Sequence, residues 1–155
     1  MSAHEQVIRT FYAAFQRRDH RAMAGCYAPD PRFTDPVFRT LEGLRVAAMW
    51  RMLCERATDL RVEVSNVQVD GHTGSADWEA RYTFTPTGRK VRNRIHASFE
   101  FAGGRISRHQ DEFDLHAWAR QALGPKGLLL GWTPLVQKAI RAQARKSLDK
   151  FIQSS

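Results

Sequence analysis

The sequence predicts an α+β fold: helices first, a run of strands in the middle, and helices again at the end. Three observations carry that expectation. Apolar residues recur at helical spacing near the start, at Val7, Ile8, Phe11, Tyr12 and Phe15. Between residues 60 and 115 the pattern changes to alternation with period two, interrupted by turn residues. Strands and helices are thus segregated along the chain, which suits an antiparallel sheet with helices packed against it.

At 155 residues the chain can build one sizeable core and is short for two. Its 43% hydrophobic and 26% charged residues describe a globular protein, not a disordered one. No window approaches the roughly 18 apolar residues of a membrane span. The opening Met1-Ser2-Ala3-His4-Glu5 lacks the regions of a signal peptide, and two cysteines make no disulfide framework. A reducing, cytoplasmic setting is expected, with Cys26 and Cys54 as buried small hydrophobes. The net charge of +8 is uneven: residues 116–155 hold seven Lys or Arg against one Asp. There Lys138, Arg141, Arg145, Lys146 and Lys150 alternate with Leu135, Ile140, Leu148, Phe151 and Ile152, an amphipathic helix with a basic solvent face. Such a helix can lie on an anionic membrane, but membrane contact is the lesser expectation. No nucleic-acid partner is expected, because no reading motif is present.

The elements follow in order. Residues 4–18 form an amphipathic helix, and Ala22 to Tyr27 a second, short one stopped by Pro29. Phe33-Thr34-Asp35-Pro36-Val37 reads as a short strand with Asp35 on the apolar face. Leu44 to Ala57, with Trp50 and Leu53, is a third helix after Gly43. Residues 60–69 slip phase between Val64 and Val67, which predicts a bulge near Ser65-Asn66. In residues 74–85, Ala76, Trp78, Ala80, Tyr82 and Phe84 share a face. In residues 89–101, Val91, Asn93, Ile95, Ala97, Phe99 and Phe101 do, with His96 opposite. Pro86-Thr87-Gly88 and Ala102-Gly103-Gly104 are hairpin turns, so the sheet is antiparallel with one aromatic-rich face.

The last strand carries the chemistry. His109, Asp111, Phe113 and Leu115 alternate with Gln110, Glu112 and Asp114, placing two titratable groups on an apolar face. An ionisable pair so placed is costly unless partnered, and functional sites are often built that way. A strand end reaching water at the rim has the same pattern. If Ala102-Gly103-Gly104 is a three-residue loop, Ala97 opposes His109 and Ile95 opposes Asp111, while a two-residue turn sets His96 opposite Asp111. The first register is preferred because it buries Phe99 and Phe101 together and turns His96 outward.

The order helix, short helix, Tyr27-Ala28-Pro29-Asp30, Phe33-Thr34-Asp35-Pro36-Val37, helix and four long strands resembles the superfamily of nuclear transport factor two, ketosteroid isomerase and limonene epoxide hydrolase. Its polyketide-cyclase-like members share the look. The resemblance covers residues 4–115 and implies a curved sheet wrapped by helices into a cone around an apolar pocket, commonly in homodimers. It divides the chain into a cone at 1–115 and a helical extension at 116–155 packed on it. In ketosteroid isomerases an Asp before Pro-Val is the general base, which Asp35-Pro36-Val37 matches, while Phe11 and Ala97 stand at their hydroxyl-donor positions. Asp111 falls at one carboxylate of the epoxide hydrolases, whose other two site positions are Trp78 and Ala80 here. His109-x-Asp111 is most similar to the single Asp with His support of cyclase-like members.

These readings combine into one expectation and one rival. Asp35 and Asp111 enter one dry pocket with His109 beside Asp111, one carboxyl serving as acid and the other as base. Asn93 donates to a substrate oxygen, and Trp78, Tyr82, Phe84, Phe99, Phe113, Tyr12 and Trp50 hold a flat apolar ligand. The chemistry would be an isomerisation, cyclisation or hydrolysis of a hydrophobic carbonyl or epoxide compound, with no cofactor and no metal. The rival is a non-catalytic module that binds a hydrophobic small molecule or a partner protein, with the same residues as core and turn groups. In the tail, Asp114 begins a helix that Gly124-Pro125-Lys126-Gly127 breaks. Leu128–Trp132 reads as a lid, a subunit contact or a membrane-dipping loop, and Thr133-Pro134 starts the final helix with a cap.

Overall fold

The computed structural model describes residues 1–125 and 133–155. Helix α1 (Ala3–Gln16) starts where the Ser2 hydroxyl accepts from the Glu5 amide, and it buries Ile8, Phe11, Tyr12, Ala14 and Phe15 along one stripe. Helix α2 (His20–Gly25) is capped by the Asp19 carboxylate. Strands β1 (Tyr27–Asp35) and β2 (Arg39–Glu42) flank a tight turn, and α3 (Leu44–Arg56) follows Gly43, whose φ of 61° suits glycine. Strands β3 (Arg61–Asp70), β4 (Thr73–Phe84), β5 (Arg89–Ala102) and β6 (Arg105–Glu112) form a meander. Helix α4 (Leu115–Leu123) is capped by Asp114, and α5 (Pro134–Ser154) by Thr133 with proline at its first position. The predicted caps are present. The expectation for Leu128–Trp132 lies outside the described residues.

The six strands make one curved, unclosed sheet in the order β2-β1-β6-β5-β4-β3, the α+β cone. One expectation is corrected. The sheet is not wholly antiparallel, because β1 and β6 run parallel. These strands share no hairpin: the chain passes through α3 and the whole meander before β6 arrives beside β1 in the same direction. Tyr27 opens β1 rather than closing a helix, and β1 runs nine residues rather than only 33–37. It accommodates Pro29 and Pro31 because the ladder to β6 is irregular between Tyr27 and Arg32, where Asp30 has φ of 55°. The expected bulge in β3 is there, with the ladder shifting between Ser65 and Gln68 and Asn66 at φ 53°.

The β5–β6 hairpin departs from its expected register in an instructive way. Gly103 and Gly104, at φ 58° and 78°, form a two-residue turn with Ala102 opposite Arg105. The ladder then slips at Ser107, so Phe99 opposes His109 and Ala97 opposes Asp111. The extra residue in β6 reverses the face that the short turn alone would have imposed. Apolar faces therefore still coincide, and His96 points outward to pair with Asp77 at 2.7 Å. The inner face packs on α1 and α3, and α5 lies across α3 with Leu148 fully buried. No helix among the described residues is long and apolar enough to cross a membrane.

Candidate active site

The inner face of β6 presents two buried polar side chains, His109 at 1% and Asp111 at 4% exposure. Neither is left unpartnered, as burial requires. Trp50 Nε1 of α3 lies 2.9 Å from Tyr27 Oη, and Tyr27 Oη lies 2.7 Å from His109 Nδ1. His109 Nε2 is 2.9 Å from Asp111 Oδ1, which also takes Trp78 Nε1 of β4 at 3.3 Å. The two ends set the direction: an indole N–H only donates, and a carboxylate only accepts. Trp50 therefore donates to Tyr27, Tyr27 donates to His109 Nδ1, and His109 donates from Nε2 to Asp111. That assigns the imidazole tautomer by its neighbours. Four elements, α3, β1, β6 and β4, are tied through this one chain of bonds.

Around it the interior is aromatic. The His109 ring lies 4.5 Å from Phe99, 5.1 Å from Phe33, 5.6 Å from Phe11, 5.9 Å from Trp50 and 6.1 Å from Tyr27, centroid to centroid. Those rings fill the space beside the imidazole. Tyr12, from α1, departs from that pairing: its buried hydroxyl, like His116 Nε2 of α4, has no hydrogen-bond partner among the described residues. Burial and the charge of Asp111 both hold that phenol in its neutral form, well above its ordinary pKa. It is a spare donor beside the carboxylate.

Asp35 ends β1, half-buried. Its Oδ1 accepts from the backbone amides of Val37 at 2.9 Å and Phe38 at 2.6 Å, so it builds the turn into β2. Burial raises its pKa from 3.8 to about 7, against the two amides and with help from the charge of Asp111. The two acids thus sense each other through the interior. Among the other expected residues, Asn93 is half-buried opposite Ala80, and Phe113 packs at the core's edge. Tyr82 and Phe84 turn to α4 instead, where Tyr82 Oη accepts from Trp118 Nε1 at 2.7 Å and Phe84 meets its ring at 5.2 Å. Sequence reasoning missed Tyr27, because placing it in a helix hid its alignment with β6. Among the described residues no group of three His, Cys, Asp or Glu has the geometry of a metal site. Cys26 and Cys54 are free and buried as expected.

The model of the SnoaL-like domain matches residues 8–109, well over half of the chain. The chain belongs to the SnoaL-like domain family. No curated protein matches in sequence. Among solved structures, this SnoaL-like chain is similar to an NTF2-like protein of unknown function from Burkholderia pseudomallei, with 26% identity, a TM-score of 0.69, and 78% of this chain and 98% of that one covered. A Mycobacterium tuberculosis LEH-like epoxide hydrolase has 22% identity and a TM-score of 0.65, over 86% and 95% of the two chains. A protein of ketosteroid isomerase-like fold from Catenulispora acidiphila, in complex with trimethylamine, has 15% identity and a TM-score of 0.69, over 83% and 97%. The latter two likenesses concern the fold of the SnoaL-like cone.

Proposed function

We propose that this SnoaL-like protein is a cofactor-independent acid–base enzyme acting on a hydrophobic carbonyl or epoxide compound. The carrying observation is the Tyr27–His109–Asp111 chain, which aims a carboxylate at the interior from a fixed tautomer. Asp111 acts as base, oriented by the N–H groups of His109 and Trp78. Asp35, with its carboxyl raised to about 7, carries the proton to be delivered. The unpaired Tyr12 hydroxyl donates to the oxygen on which charge develops, next door to the position where Phe11 lacks one. Asn93 assists from β5, and Trp78, Phe99, Phe113 and Trp50 supply the apolar wall. Tyr82 and Phe84, engaged with Trp118, serve at most its outer margin. The similarity to an epoxide hydrolase and to a ketosteroid isomerase-like fold supports this reaction class. A homodimer in the cytoplasm, binding no nucleic acid, belongs to the same reading.

The test is hydrogen–deuterium exchange at the α-carbon of a bicyclic aromatic ketone such as 2-tetralone, followed by NMR in heavy water. The expected outcome is exchange that Asp111→Asn slows by about 10²-fold or more, with the circular dichroism spectrum unchanged. An epoxide such as styrene oxide is the parallel probe for water addition. Turnover of either probe that survives Asp111→Asn would refute the assignment.

One observation favours a second reading, that of a binding module without chemistry. Both imidazole nitrogens and Asp111 Oδ1 are already satisfied inside packed rings, as structural core groups are. On that reading a hydrophobic probe binds with equal affinity to the Asp111→Asn protein and no exchange occurs.

A further inference from the structure

Helix α5 carries a groove that the acid–base chemistry leaves unused. Its apolar edge is fastened to the body of the fold. Leu148 is fully buried, Ala144, Phe151 and Ile152 pack against the core, and Asp149 pairs with Arg45 of α3 at 2.8 Å. The opposite edge is consequently held outward. There Lys138, Arg141, Arg145, Lys146 and Lys150 meet Arg39 of β2 around a concavity of about 640 Å³.

A basic face on a solvated helix ordinarily spreads its charges apart. These converge, and they come from elements about a hundred residues apart in sequence. Arg141 is held in place by donating from Nε to the Pro36 carbonyl at 2.8 Å. Burial, and repulsion from Arg39, push its pKa below the ordinary value. The one carboxylate on the wall, Asp149, is already engaged by Arg45. Among the described residues Arg39, Lys138, Arg145, Lys146 and Lys150 have no carboxylate partner. Like charges gathered in a concavity focus a positive potential and favour an anion that neutralises them.

We propose that this groove is a binding site for a compact polyanion carrying two or more phosphate groups. Arg39 offers its whole guanidinium fork, and Arg141 its two terminal nitrogens, for bidentate phosphate contacts, with the lysines as point charges around them. The volume is that of a small-molecule site. Among the described residues no aromatic side chain lines the wall, so the ligand is recognised through its phosphates rather than by stacking on a base. A flat anionic membrane would touch the ridges of the groove and leave Arg39 and Arg141 underused. The site is separate from Asp111 and does not depend on the chemistry assigned there.

The experiment is isothermal titration of the full chain with inorganic tripolyphosphate at 50 and 200 mM sodium chloride. The expected result is saturable one-to-one binding that weakens at the higher salt. Arg39→Gln and Arg141→Gln should each weaken it about tenfold, while Arg61→Gln, outside the groove, leaves it unchanged. Thermal melting of each variant checks folding, and Arg39, an exposed residue, keeps the test valid if Arg141→Gln disturbs the Pro36 contact. The same titration with vesicles of phosphatidylcholine and phosphatidylserine, and with single-stranded oligo-dT, separates the sources of phosphate. Absence of saturable tripolyphosphate binding, binding insensitive to Arg39→Gln, or binding to vesicles or oligo-dT alone would overturn the proposal.

Discussion

Single side chains decide whether the interior can hold its polar groups. Tyr27 illustrates this: its hydroxyl accepts from the Trp50 indole N–H and donates its own hydrogen bond to His109 Nδ1. Tyr27→Phe would orphan both neighbours inside the core, so stability should fall by about 1–3 kcal/mol in urea unfolding. Asp35 offers a test with a defined sign. Its carboxyl titrates near 7 when folded and near 3.8 when unfolded, so the folded state binds the proton more tightly. Stability contributed by that proton is complete below about pH 4 and is lost as the pH rises to about 7, a change of up to about 4 kcal/mol. Asp35→Asn keeps an acceptor for the Val37 and Phe38 amides and abolishes the charge. It should therefore melt above the parent at pH 8 and close to it at pH 4, and a variant that melts lower at pH 8 would contradict the burial of this carboxyl.

At the level of elements, Ser107 matters out of proportion to its size. Because the ladder leaves it unpaired, His109 and Asp111 keep the inner face after a two-residue turn. Deleting Ser107 leaves a regular two-residue hairpin in which Ile106 still opposes Phe101 and His109 still opposes Phe99. His109 and Asp111 should then stay inward and the cooperative near-ultraviolet melting transition should survive; its loss would contradict this register. The same hairpin shows what a sequence can and cannot disclose. Alternation identified the inner faces of β4, β5 and β6, and the phase slip between Val64 and Val67 announced the β3 bulge. Ile106, Arg108 and His109 carry a comparable slip, but one glycine pair permits several turn lengths, and local pattern does not choose among them. The parallel seam was hidden for a different reason: β1 contains two prolines and no clean alternation, and its partner lies far along the chain. Asp111 and His109 were legible because polar residues on an apolar face stand out. Tyr27 was not, since a tyrosine looks like any core aromatic until its partner is known. Tyr82 and Phe84 shared the right face but lie toward its α4 end, a distinction that periodicity does not make.

Across the whole molecule, the cone and its C-terminal helix behave as one body if α5 is fastened as Leu148 and the Arg45–Asp149 pair suggest. Leu148→Ala removes a fully buried side chain, so it should cost about 2–5 kcal/mol and lower the single urea midpoint instead of producing a separate early transition. A detached first phase would instead mark α5 as an independent appendage. The strand order has a further consequence, in time rather than space. Tyr27 and His109 are separated by 82 positions along the chain, and the bond between them spans the β1–β6 seam. Local hairpins close early, whereas an encounter across so long a loop must wait until the intervening meander has shortened the distance. A refolding chain therefore pairs β5 with β6 well before Tyr27 reaches His109, and the buried chain of hydrogen bonds is completed by the last strands to zip.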